Sequence, residues 1–207
     1  MKRIATLMTL FCIVVLSTKA QLLWKVSGKD LPKASYILGT HHLAPLSILD
    51  SIAGFKQAMN DVEQVCGEIV MAEMQAPATI QKIQQTVIMP GDTTLRTLYT
   101  AAQYDTLSVK IKKLIGVDLI DLMNMVKPSF ITTQLSVVIA IKAIPGFNPK
   151  QQLDGWFQTE AQKQGKKVTA LETIDSQINM LFDSQSLQRQ AAVSYTHLRA
   201  HETLSDL

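Results

Sequence analysis

At 207 residues, 47% hydrophobic and 18% charged, the chain has a globular rather than a disordered composition and is long enough for one good-sized domain or two small ones. Its formal charge of +3 equals the contribution of Lys2, Arg3 and Lys19 near the N-terminus. The remainder is close to neutral, so charge gives no reason to expect nucleic acid or an acidic membrane surface as a partner.

The opening "MKRIATLMTLFCIVVLSTKA" starts basic, runs apolar from about Leu7 to Leu16, and ends on small residues at Thr18 and Ala20. The apolar run is shorter than the roughly 20 residues a bilayer span requires. Residues 1–20 are therefore expected to be a secretory signal, with Gln21 the first mature residue. That implies an exported protein, periplasmic or extracellular, with no stable membrane span after cleavage. A retained N-terminal anchor is the alternative. Cys12 leaves with the signal, so Cys66 has no partner for an intrachain disulfide and stability must come from the core.

"QLLWKVSG" reads as a first strand with Trp24 and Val26 on one face, ended by Gly28. "GKDLPKA" is a turn and "SYILG" a second, buried strand, so the two predict a hairpin. "PLSILDSIAGFKQAMNDV" carries Leu46, Leu49, Ile52, Ala53 and Phe55 at helical spacing. "EQVCGEIVM" suits a buried third strand, and an amphipathic helix follows through about Val87 with Pro77 in its first turn.

The middle of the chain predicts helices: one capped at Asp92 and broken near Thr100, then "VDLIDLMNMVKP", then a buried helix from Pro128-Ser129 to Pro145-Gly146. Met123 and Met125 read as core-filling residues rather than metal ligands. An α/β rhythm then returns, with a helix from about Leu153 to Lys163, a stop at Gly165, the strand "KVTAL", and a helix from Ile174 to Phe182. The expected fold class is α/β, a small mixed β-sheet flanked by helices. With no repeat or low-complexity linker, one domain is the simplest organisation.

From Ser194 the sequence "SYTHLRAHETLSDL" holds His197 and His201 at i, i+4, with Glu202 beside them. On a helix that spacing puts two imidazoles on one face, as a zinc site needs. The order reverses the H-E-x-x-H signature, however, and the glutamate would not stand where a general base should. The stretch also closely resembles a translated sequencing adapter. Residues 194–207 are therefore expected to be a non-native tail on a partial domain spanning 21–193. Sequencing the natural locus through this junction checks the expectation, and an uninterrupted reading frame ending at Leu207 refutes it.

Three segments carry a resemblance. "LLWKVSGKDLPKASYILGTHHLAP" ends a strand in G-x-x-H, here Gly39-Thr40-His41-His42; "VCGEIVM" places Glu68 after a strand; and "QLDGWFQTEAQKQGKKVTALETIDSQINML" gives a helix, a strand ending at Glu172, and a further helix. In this order they resemble the TraB/GumN (Tiki-like) family over about Leu22 to Ser184. The resemblance implies an exported metal-dependent hydrolase, a peptidase in the Tiki-like members, acting on a peptide or other small extracytoplasmic substrate. The family's second G-x-x-H, near its C-terminus, has no match here. The domain is therefore expected to be incomplete at its C-terminus, and this chain inactive as it stands.

Neighbouring strand residues point to opposite faces, so His41 and His42 are not expected to share one metal. The resemblance makes His42 and Glu68 the metal ligands and Glu68 and Glu172 the catalytic carboxylates. Gly39 and His41 become substrate-contacting, Gly39 because it lacks a Cβ. The divalent ion would be Mn²⁺, Co²⁺ or Zn²⁺. Each residue also has a plainer reading: His42 as a hydrogen-bonded histidine at a strand end, His41 as packing or capping the next turn, Glu68 as a strand-edge side chain facing water, and Glu172 as a helix cap. Asp154 reads as a surface residue. The competing functional reading is a secreted protein that binds a peptide or glycan without cleaving it.

Overall fold

The structure, a computed structural model, describes residues 21–200. The expected signal segment 1–20, and His201 and Glu202 of the terminal motif, lie outside the described residues. The fold is mixed α/β, and the chain divides into two compact units.

The described part of the first unit covers residues 21–40 and 49–62. Strands β1 (Leu23–Val26) and β2 (Ser35–Leu38) form an antiparallel hairpin with Trp24 opposite Ile37 and Lys25 opposite Tyr36. The hairpin matches expectation, but its burial does not. Trp24 is 57% and Ile37 61% exposed, so β2 is not a buried strand. The helix expected across residues 46–62 is split. Gly54 adopts φ +76°, a left-handed conformation that ends helical propagation, and α1 starts only after it (Phe55–Asp61). The preceding residues, Leu46–Ser51, form a 3₁₀ segment. Tyr36 donates its hydroxyl to Asp61 Oδ2 at 3.2 Å, tying the hairpin to α1.

The second unit covers His41–Ile48 and, of the rest, residues 63–200. Strands β3 (Gln64–Gly67) and β4 (Lys167–Ala170) pair in parallel, Gln64 against Lys167 and Gly67 against Ala170. Parallel pairing requires a long crossover, and the intervening helices supply it. The strands therefore divide into two two-stranded ladders among the described residues. With so narrow a ladder, β3 alternates between exposed residues (Gln64, Cys66) and half-buried ones (Val65, Gly67) rather than being buried throughout.

After a 3₁₀ segment (Met71–Gln75), helix α2 (Pro77–Thr86) begins on Pro77, whose missing N–H costs nothing there. Helices α3 (Leu95–Leu98) and α4 (Ala101–Ile115) follow, separated at Thr100. The first cap is Thr94 rather than Asp92, because Thr94 and Thr97 satisfy each other's N–H through their hydroxyls. Residues 117–127 are irregular, with turns over 120–125 and a single bridge from Val126 to Ile88, rather than the expected helix. Asp121 accepts from Arg96 and Tyr104, both at 2.7 Å, while Asp118 accepts from Ser108 at 3.0 Å. Asp118 Oδ1 also accepts the Ile120 N–H at 3.4 Å, a local side-chain-to-backbone bond of the kind that competes with helix.

Helix α5 (Pro128–Ala143) is followed by α6 (Leu153–Lys163), α7 (Ile174–Phe182) and α8 (Leu187–Ala200). Among the described residues no helix is long and apolar enough to cross a membrane.

One buried cluster gathers Met89, Leu95, Ile111, Ile120, Ile131 and Leu135 with Ala191 and Leu198. Met123 packs against this cluster, whereas Met125 is 46% exposed. Helix α8 runs through Ser194, which is buried and hydrogen-bonded to Thr132 at 2.6 Å, so residues of the terminal stretch take part in this core. A second cluster joins Val87 to Ile174, Ile178 and Phe182 of α7.

Leu95 is a member of the first cluster and 1% exposed. Leu95→Ala is expected to lower unfolding free energy by about 2–5 kcal/mol in urea titration. A loss under about 1 kcal/mol would show that the site collapses around the deletion.

Candidate functional site

The histidine doublet lies in the turn after β2, at the start of the second unit. The two rings do different things. His41 shapes the turn: its carbonyl accepts the Ala44 N–H at 2.9 Å and its Nδ1 accepts the Leu43 N–H at 3.2 Å. His42 points elsewhere. Its Nδ1 lies 2.7 Å from Asp154 Oδ2, and its Nε2 lies 3.9 Å from Glu68 Oε2.

Asp154 reaches His42 from the first turn of α6, where a carboxylate also complements the positive end of the helix dipole. Its side chain is 19% exposed against 61% for His42, so the reading of Asp154 as a surface residue is corrected. It lies closer to the His42 ring than Glu68 does. An ionised carboxylate only accepts hydrogen bonds, so His42 Nδ1 carries the proton and donates it. In the neutral ring, Nε2 then keeps its lone pair on the side that faces Glu68.

Glu68 immediately follows β3, and Glu172 follows β4. The ladder continues one step beyond the strands: Leu171 N–H donates to Gly67 O at 2.9 Å and Glu172 N–H to Glu68 O at 2.8 Å. The two glutamates thus leave the ladder at its carboxyl end but offset by one position, because the register that pairs Gly67 with Ala170 sets Glu68 beside Leu171. Their carboxylates diverge in use. That of Glu68 is 59% exposed and faces His42, whereas that of Glu172 accepts from Gln177 Nε2 on α7 at 3.0 Å. Gly39 lies in the first unit, where its N–H closes the hairpin on Leu22 O at 2.9 Å. A Cβ there would meet Leu22 O at 3.9 Å, an ordinary contact.

Gln158 was not singled out by sequence reasoning. It lies one turn after Asp154 on α6, beside the buried residues Phe157 and Ala161, and is itself only 4% exposed. Its Oε1 accepts the Met71 N–H at 2.8 Å and its Nε2 donates to Ile69 O at 2.7 Å. The signal available in the sequence was a polar amide on the core-facing side of an amphipathic helix.

The His42 pKa is raised above its ordinary value, first by the hydrogen bond to Asp154, with the charges of Asp154 and Glu68 adding to it and burial opposing. Imidazole–cation and carboxylate–cation distances are each about 2.0–2.2 Å, so two ligands of one ion stand within roughly 4.4 Å of each other. The 3.9 Å between His42 Nε2 and Glu68 Oε2 satisfies that limit. The described residues contain no group of three or more His, Cys, Asp or Glu able to hold a metal ion.

The model of the TraB/PrgY/gumN family matches residues 22–207. No curated protein and no solved structure matches the chain.

Because the folded-state pKa of His42 is raised, the stability from its pairing is full below the ordinary imidazole pKa and is lost as pH rises through the raised value. Asp154→Asn is expected to bring the His42 pKa back down and to flatten this part of the pH–stability curve. Proton NMR titration of the His42 ring checks this, and an unchanged pKa in the variant would contradict the assignment.

Proposed function

The chain belongs to the TraB/PrgY/gumN family, and from that premise we propose that it is an exported metal-dependent hydrolase acting on peptides. The observation that supports the reading is the arrangement around one ring. Asp154 occupies His42 Nδ1 at 2.7 Å and leaves Nε2 towards Glu68 at 3.9 Å. Histidine ligands of catalytic metals commonly donate their second ring N–H to a carboxylate in this way, which fixes the tautomer and raises ligand basicity.

His42 Nε2 and Glu68 would hold a divalent ion, Mn²⁺, Co²⁺ or Zn²⁺. Such an ion, when bound, polarises a carbonyl and lowers the pKa of water to about 7 in zinc enzymes. Asp154 aims the imidazole. Glu68, at the open end of the ladder, either completes the ligand pair or accepts a proton from water. Glu172, on the neighbouring strand end, is the other proton carrier, oriented by Gln177. The exported location rests on the basic and apolar pattern of the first twenty residues.

A second reading is favoured by the openness of the pair, since the side chains of His42 and Glu68 are 61% and 59% exposed. A secreted protein that holds a peptide or glycan without cleaving it would keep the same histidine and carboxylates.

Metal content separates the two. In the dialysed protein titrated with Zn²⁺, Co²⁺ or Mn²⁺, stoichiometric binding is expected, lost in His42→Ala and weakened about 10–100-fold in Asp154→Asn. Protein expressed from the full natural reading frame and reloaded with metal is expected to cleave peptides, and His42→Ala to abolish cleavage. Cleavage unchanged by that substitution removes His42 from the mechanism, and no metal uptake at all favours the binding protein.

A further inference from the structure

We propose that Gln158, with Gly67 leaving room for it, is a positioning residue that fixes the backbone carrying Glu68 and so sets where its carboxylate stands relative to His42. The inference rests on the proposed use of His42 and Glu68 together, and adds a residue to that site.

The Glu68 carboxylate is largely exposed, so its location is inherited from the backbone rather than from packing of its own side chain. Three contacts hold that backbone. Glu68 O accepts the Glu172 N–H at 2.8 Å, which extends the ladder by one residue. On the other side, the segment turns away from β3, and Gln158 takes over where strand pairing ends. Its amide donates to Ile69 O at 2.7 Å and accepts from Met71 N–H at 2.8 Å. The side-chain amide thereby acts as one more peptide group of a partner strand, satisfying backbone groups that would otherwise need water.

Gly67 makes the fit possible. A Cβ at that position would lie 2.6 Å from Gln158 Nε2, closer than packed atoms tolerate, and 3.3 Å from Ile69 O, a tight contact. Glu68 is thus flanked by Gly67, against which the Gln158 amide rests, and by Ile69, whose carbonyl that amide holds. The same helix supplies the other half of the site. Asp154 and Gln158 are spaced i, i+4 on α6, which puts them on one face a turn apart. One turn of helix therefore grips the imidazole with its first residue and the glutamate loop with its second.

The test uses the 207-residue chain and reads coupling rather than stability. At one fixed pH, the nitrogen and proton resonances of the His42 ring are recorded with and without Glu68→Gln, in three backgrounds: unaltered, Gln158→Met and Gly67→Ala. Glu68→Gln is expected to move the Nε2 resonance in the unaltered chain and to move it about twofold less, or not at all, in the other two. The Met71 amide is expected to lose its hydrogen-exchange protection in both. A purely scaffolding Gln158 would change exchange and melting but leave the response to Glu68→Gln equal in every background, and that result overturns the proposal. Gly67→Ala attacks the same contact from the opposite side and carries the comparison if Gln158→Met fails to fold. Unfolding of both variants would assign the pair to the scaffold and equally overturn it. A chain that shows the background dependence but binds none of Zn²⁺, Co²⁺ or Mn²⁺ would remove the hydrolase reading while leaving the positioning role standing; metal uptake without background dependence would do the reverse.

Discussion

The hydrogen bond from His42 Nδ1 to Asp154 organises everything else at this site. Without it the ring at position 42 is a mostly exposed imidazole in a turn, free to rotate and to exchange tautomers. With it, one nitrogen is committed, the ring plane is set, and Nε2 is the atom left to meet a ligand. Hydrogen bonds to charged groups contribute about 1.5–3 kcal/mol in favourable settings, but a 61% exposed partner is screened by water and contributes less to folding. Orientation, rather than stability, is the consequence that matters.

That orientation depends on a division of labour within the second unit. The parallel pair β3–β4 delivers Glu68 and Glu172 to its carboxyl end, and α6 supplies Asp154 at its first turn and Gln158 one turn later. The buried clusters contribute by keeping the helices in place, with α7 packed through Ile174, Ile178 and Phe182, and Gln177 on the same helix holding Glu172. The exposed residues of the site are therefore placed by buried ones, an arrangement in which rigid elements carry a group that must remain open to a ligand.

Much of the framework was legible because its signals are local. Pro77 and Pro128 open helices, the expected break falls at Thr100, and Gly165 takes the left-handed conformation that closes α6. The places where local pattern misled are those where single residues overrode it. Gly54 interrupted an apolar spacing that otherwise reads as one helix, and Asp118 bonds the Ile120 N–H locally where a helix was expected, while Asp121 is tied to Arg96 of α3. At the site, the approach of His42 to Glu68 could be expected from the G-x-x-H and strand-glutamate motifs. The partnership with Asp154 could not, because it joins residues 112 positions apart and an aspartate near a helix start has an adequate local explanation as a dipole partner. Gln158 escaped for a related reason: its backbone partners lie 87 and 89 positions away, and only burial distinguishes it from a surface glutamine.

The most direct measurement is the tautomer of the neutral His42 ring, read from its two nitrogen chemical shifts at a pH above its raised pKa. The account predicts a protonated Nδ1 bonded to Asp154 and an unprotonated Nε2. A ring found with its proton on Nε2 would mean that Asp154 does not govern it, and the nitrogen assigned to the ligand would already be occupied.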